Sequence, residues 1–175
     1  MGVSYRYWCG KLTKDTKLLH DFRMDIDDTD KRLLAALQKD ATLTAEALGA
    51  QLNLSASQAG RRRQRLEQAG FIERYSARLD AARLGLAVQA FVQVQMATHE
   101  PEKVKGFTRI VGNRPEIVSA WTLTGEADYL LRVYCADLAG LNVLIHQVLL
   151  PHPAVARVQS QIVMDQFKAD APLPT

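Results

Sequence analysis

Apolar positions between residues 27 and 70 recur every three or four residues, and beyond residue 86 they alternate, so the chain predicts a helical region followed by a sheet. An acidic turn, Asp27, Asp28 and Asp30, suits the positive end of a first helix whose buried stripe is Leu33, Leu34 and Leu37. Thr44 is placed to cap a second helix presenting Leu48 and Leu52. Asn53, which tolerates left-handed backbone, is placed to end it. Ser55 and Gln58 make a Ser-x-x-Gln capping box for a third helix, with Ala59, Leu66 and Ala69 inward and Gly70 as its stop. Phe71 to Leu79 reads as a strand with Arg74 and Arg78 on one parity, and residues 80–85, ending at Gly85, read as a linker.

From Leu86 a strand alternates Val88, Val92, Val94 and Met96 with Gln89, Gln93 and Gln95. A helix over 101–112 follows, with Pro101 at its first position and Val104, Phe107, Ile110 and Val111 as its stripe. Strands Ile117–Leu123 and Asp128–Cys135 flank a turn at Thr124-Gly125-Glu126-Ala127. Asp137 then caps a helix carrying Leu138, Leu141, Leu144, Ile145 and Val148, which Pro151 and Pro153 terminate. A last strand spans about Val155 to Met164. The order β-α-β-β-α-β is the ferredoxin-like arrangement, an antiparallel sheet with two helices on one face, and the fold class is α+β. The other face mixes Gln89, Gln93, Gln159 and Gln161 with Phe91, and is expected to pair with a second subunit. The Pro-rich tail, Ala169 to Thr175, is expected to fray.

Composition narrows the class. With 47% hydrophobic and 23% charged residues the chain is an ordinary globular one. It has no stretch of the roughly 18 apolar residues that a membrane-spanning helix requires. Residues 1–23 lack the apolar core of a secretory signal, and Cys9 and Cys135 stand in unlike contexts, which fits a reducing cytoplasm. The net charge of +3 comes from residues 1–23, with five basic and two acidic side chains; residues 24–80 balance at nine each and 81–175 at eight each. Within the middle segment Arg61, Arg62, Arg63 and Arg65 crowd on the third helix, followed by Arg74 and Arg78.

Two short helices joined by a turn of about three residues have the dimensions of a helix-turn-helix. Any helical hairpin shares that spacing, and a charge run alone is as often a solvated face. A structural hairpin has no need of the arginine run, and this favours double-stranded DNA as the partner. On that reading Ser57, Gln58 and Arg61, at the N-terminal part of the third helix, are placed for base edges. Arg62, Arg65 and Arg74 are expected on phosphates, and Ser55 serves as the cap with a possible phosphate contact of its own.

From Met24 to about Gln166 the chain resembles the leucine-responsive and asparagine-synthesis regulator family (Lrp/AsnC). The resemblance rests on Asp27-x-x-Asp30-x-x-Leu33-Leu34, Leu52-x-Leu54-Ser55, Arg61-Arg62-x-x-Arg65-Leu66-Glu67-x-x-Gly70-Phe71-Ile72 and Gly125-x-x-Asp128-Tyr129-Leu130-Leu131. It implies a winged-helix-like DNA-binding domain over residues 24–73 and a strand and linker over 74–85. Behind them it implies a ferredoxin-like effector (RAM) domain over 86–166 and a tail over 167–175. It further implies dimers that assemble into higher forms such as octamers, and an amino acid or related metabolite as effector, without a cofactor. The effector site is implied between neighbouring subunits near the turn Thr122 to Asp128, with Leu138 nearby. Two departures stand out. Arg63 occupies a position where relatives place an apolar residue, so either its stem lies along the core with its head in water or the helix is rotated. Residues 1–23 have no counterpart and Met24 stands where relatives tend to begin, which suggests a mis-assigned upstream start or a basic DNA-binding arm.

At the turn two readings stand open: Asp128 receives a ligand's ammonium group while Gly125 lets the backbone come close, or Gly125 only turns a hairpin and Asp128 hydrogen-bonds locally. Enzyme chemistry finds little support. His20, His99, His146 and His152 have no metal-ligand spacing, and no nucleophile–base pair or phosphate-binding glycine loop is visible. Sirohaem decarboxylases resemble the same architecture but do not account for the arginine-rich helix. An architectural DNA-wrapping protein that ignores metabolites is the other alternative.

Overall fold

A computed structural model describes residues 25–169 and 171–174. They form two compact units. One holds the described residues up to Ala77 together with 171–174, and the other runs from Arg78 to Ala169.

In the first unit every helix start is fixed by a local side chain. Helix α1 (Asp28–Lys39) starts at Asp27, whose Oδ1 accepts from the Asp30 N–H at 2.7 Å while Asp30 Oδ2 accepts from the Asp27 N–H at 3.3 Å. Helix α2 (Ala45–Leu52) is capped by Thr44 and ends at Asn53, the one described non-glycine residue with positive φ (57°). Helix α3 (Ala56–Gln68) carries the Ser55–Gln58 capping box, with Gln58 N–H donating to Ser55 Oγ and Ser55 N–H to Gln58 Oε1. The α2–α3 turn is tight: a Cβ on Gly49 would stand 2.6 Å from the Leu54 carbonyl oxygen. Leu33, Leu37, Leu48, Leu52, Ala59 and Leu66 close the core between the three helices.

Two expectations fail here. No strand forms over Phe71–Leu79; among the described residues the segment has no ladder partner, and alternation without a partner does not make a strand. The tail residues 171–174 belong with the helical unit instead of fraying. Leu173 N–H donates to Gln38 Oε1 at 2.6 Å, and Gln38 Nε2 donates to the Leu173 carbonyl at 3.1 Å. Leu173 lies between Pro172 and Pro174, so its extended backbone keeps both a donor and an acceptor for one carboxamide.

The second unit is the ferredoxin-like βαββαβ. Strands β1 (Val88–Met96), β2 (Ile117–Thr122), β3 (Tyr129–Cys135) and β4 (Val155–Ile162) form one antiparallel sheet in the order β2-β3-β1-β4. Helices α4 (Pro101–Gly112) and α5 (Leu138–Val143) cover one face. Ala90, Val92, Val94, Leu131 and Val133 pack there against Phe107, Val111, Leu141, Leu144 and Leu149. The expected second helix is regular only to Val143; Leu144–Leu149 is π-helical. Both Leu144 and Leu149 are buried, and a spacing of five residues to one inward face is met by the wider turn. Leu138, at the start of α5, is exposed. By register the open face carries Gln89, Phe91, Gln93 and Gln95 of β1 opposite Tyr134, Arg132 and Leu130 of β3 and Gln161, Gln159 and Arg157 of β4.

Candidate nucleic-acid interface and effector site

Helix α3 buries Ala59 and Leu66 and leaves Ser57, Gln58, Arg61, Gln64, Arg65 and Gln68 exposed. Ser57, Arg61, Gln64 and Gln68 follow one another at four, three and four residues, so they form a single outward stripe. The fixed N-terminus orients that stripe, because the capping box satisfies the first amides and sets the entry angle of the chain. Gln64 was not among the residues singled out from the sequence, although the helical period that places Arg61 outward places Gln64 beside it.

The arginines divide sharply. Arg61 donates only to the Ser57 carbonyl, at 3.4 Å, and projects outward. Arg62 turns back to α1, with Nη1 2.7 Å from Asp27 Oδ2 and 2.8 Å from Asp30 Oδ1, and Arg65 Nη2 donates to Asp30 Oδ2 at 2.5 Å. Asp30 is fully buried and Arg62 mostly so, while Arg65 keeps half its side chain in solvent. The Asp30 N–H, then the Arg62 guanidinium, hold the Asp27 carboxyl below its usual range, and Asp27 in turn raises the pKa of Arg62. Arg63 follows neither expected course. Its stem lies inward, but the head is retained: Nη1 donates to the Leu43 carbonyl at 3.0 Å and Nε reaches Glu67 Oε1 at 3.0 Å and the Tyr75 hydroxyl at 3.1 Å. The guanidinium carbon sits 4.9 Å from the Tyr75 ring centre. The Tyr75 hydroxyl donates to Glu67 at 2.7 Å and lowers that carboxyl's pKa, with Arg63 as the second cause; burial raises the pKa of Tyr75 itself. Arg74 is exposed on the segment after α3.

In the second unit the turn between β2 and β3 is closed by Leu123 N–H donating to the Asp128 carbonyl at 2.8 Å, with Gly125 at φ 121°. Asp128 is engaged locally: its N–H donates to the Val94 carbonyl and its Oδ2 accepts from the Met96 N–H at 2.7 Å. The other oxygen faces His99 Nε2 at 3.7 Å. Thr122, Leu123, Thr124 and Gly125 are exposed beside it. Leu138 is not brought near them within the chain. Strand β3 separates the two, and its seven residues carry the backbone roughly 20 Å to the far end of the sheet. The sequence also did not show a shallow cleft beside the turn, lined by Gln93, Gln95, Glu126, Ala127, Arg157 and Gln159. Arg157 Nη1 and Glu126 Oε1 stand 3.9 Å apart at its edge. Only the β1–β4 register, Gln93 opposite Gln159 and Gln95 opposite Arg157, assembles that lining.

A capped helix-turn-helix joined to a ferredoxin-like domain defines a two-domain DNA-binding regulator. Comparison with known proteins agrees: residues 26–67 match the AsnC-type helix-turn-helix domain and residues 89–173 the Lrp/AsnC ligand binding domain. The chain is 34% identical over 149 residues to the DNA-binding transcriptional activator DecR of Escherichia coli (strain K12), covering 85% of this chain and 98% of DecR. It is 30% identical to the transcriptional regulator AzlB of Bacillus subtilis (strain 168), covering 85% and 95%. Among solved structures, a transcriptional regulator of Neisseria meningitidis in complex with L-Met superposes with a TM-score of 0.82 at 34% identity, covering 85% of this chain and 96% of that one. The chain belongs to the Lrp/AsnC family of DNA-binding transcriptional regulators. Among the described residues no helix is long and apolar enough to cross a membrane.

Proposed function

We propose that the chain regulates transcription by sequence-specific binding to double-stranded DNA, and that an amino acid or related small metabolite tunes the binding. The observation that carries this reading is the exposed N-terminal part of α3, where Ser57 and Arg61 lie on the outward stripe and Gln58 is exposed beside them on a helix whose N-terminus is locked. Arginine pairs bidentately with guanine and glutamine with adenine, each contact giving roughly 1–3 kcal/mol of discrimination. Gln64 extends the same reading surface. Ser55 and Arg74 are assigned to phosphates, which fix register without reading sequence. Arg62 and Arg65, expected on phosphates, face Asp27 and Asp30 instead. The effector is assigned to the Thr122–Asp128 turn and the adjoining cleft, where the Glu126 carboxylate and the Arg157 guanidinium suit the two ends of a zwitterion. In this reading the protein works in the cytoplasm as a dimer or higher assembly, with the open sheet face as the self-association surface.

Selection from a randomised duplex pool, followed by anisotropy on the winning sequence, tests the assignment. Arg61→Ala is expected to relax sequence preference, while Arg74→Ala weakens all sequences alike and flattens the salt slope by about 0.9. Equal effects of the two substitutions would refute the division of roles.

A further inference from the structure

Asp30 is the one buried charged side chain among the described residues. Its two oxygens each hold an arginine of α3: Oδ1 accepts from Arg62 Nη1 at 2.8 Å and Oδ2 from Arg65 Nη2 at 2.5 Å. Arg62 Nη1 also reaches Asp27 Oδ2 at 2.7 Å. Two carboxylates at the start of α1, one on its cap and one in its first turn, thus neutralise two guanidiniums on α3. Of the four arginines between positions 61 and 65, Arg61 alone has no carboxylate partner among the described residues.

The two carboxylates differ. Asp27 is half exposed and, among the described residues, pairs with Arg62 alone. Asp30 is buried, and without Arg65 its Oδ2 would keep only the Asp27 N–H at 3.3 Å, a costly loss for a desolvated carboxylate. Arg65 therefore has a strong reason to stay on Asp30 when a phosphate comes near, even though half of its side chain reaches solvent. We propose that Asp30 is a positioning residue for DNA recognition that keeps Arg65 off the phosphate backbone and so holds down sequence-independent affinity. The proposal rests on the reading that α3 faces DNA. It assigns part of the arginine run to suppressing non-specific binding, leaving Arg61 to dominate the reading surface.

The test is the salt dependence of binding by the full chain to a short, labelled, random-sequence duplex, comparing wild type, Arg65→Gln, Asp30→Asn and the double variant. If Asp30 holds Arg65, Arg65→Gln leaves the slope of log K against log salt unchanged. Asp30→Asn releases Arg65 while Asp27 still holds Arg62, so the slope steepens by about 0.9 and random DNA binds roughly fivefold tighter near 0.15 M salt. The double variant returns to the wild-type slope. A role confined to folding would weaken binding without steepening any slope. A slope flattened by about 0.9 in Arg65→Gln, or an unsteepened slope in folded Asp30→Asn, overturns the proposal. Should Asp30→Asn fail to fold by circular dichroism, the Arg65→Gln arm decides alone. Absence of any binding by the wild type would instead remove the DNA reading, and this proposal with it.

Discussion

Replacing Arg63 with Ala is a demanding test of how the recognition helix is held. The substitution removes a charge-assisted hydrogen bond to the Leu43 carbonyl, contributing about 1.5–3 kcal/mol in the usual range for such bonds. It also removes the stacking on Tyr75, about 0.5–1 kcal/mol at a partly exposed site. The ion pair with Glu67, one turn along the helix, adds only about 0.3–0.5 kcal/mol. These contributions share atoms and do not add, and Glu67 keeps the Tyr75 hydroxyl after the change. The expected loss is about 2 kcal/mol, confined to the helical unit. Hydrogen exchange read by mass spectrometry on the intact chain separates that unit from the sheet. Amides of α3 around Ala59 to Leu66 should exchange about thirtyfold faster, while those of β1 and β3 stay unchanged. Exchange in α3 within threefold of wild type would show that Arg63 is a surface residue whose contacts contribute nothing. Tyr75→Phe sharpens the result, since it keeps the ring beneath the guanidinium and removes only the hydroxyl. Its effect should be less than half that of Arg63→Ala.

Other consequences can be checked together. Gly49→Ala places a Cβ 2.6 Å from a backbone carbonyl that no side-chain movement can relieve, and should cost about 1–3 kcal/mol. A thermal midpoint for the helical signal equal to wild type would contradict that geometry. The Asp27 and Glu67 carboxyls both have folded pKa values below their unfolded ones, so their stabilisation is complete above the unfolded carboxylate pKa and is lost as pH falls through the folded values. Urea midpoints of the helical unit should therefore hold from neutral pH to about 5 and then fall below about 4; a midpoint that is flat or rising over that last interval would count against both networks.

Much of the helical unit was legible because its signals are local. Thr44, Asn53, the Ser55–Gln58 box and Gly70 each act within about one turn of their own position, where sequence spacing is also spatial spacing. The same holds for Pro101 and Asp137 at the starts of α4 and α5. What sequence could not show depends on long-range partners. Asp30 meets Arg62 and Arg65 from 32 and 35 residues away, and nothing in the arginine run tells which guanidinium turns inward. Phe71–Leu79 has the alternation of a strand but, among the described residues, no strand to pair with, and alternation is silent on that point. The π-helical turn at Leu144–Leu149 answers the depth of the core beneath it, not a local signal. At the β2–β3 turn a local hydrogen-bonding role for Asp128 was legible in the sequence, and the Met96 amide occupies one of its oxygens. The Glu126–Arg157 edge needed the sheet register before it could be seen at all.

Anisotropy of the full chain on DNA from upstream of its own gene tests the central claim most directly. It should be run with excess non-specific competitor at about 150 mM salt, with and without each amino acid in turn. The account predicts tight binding that competitor does not remove and that one amino acid, or a small group of related ones, shifts. Binding that competitor abolishes, or that no amino acid alters, would contradict the claim of metabolite-tuned, sequence-specific recognition.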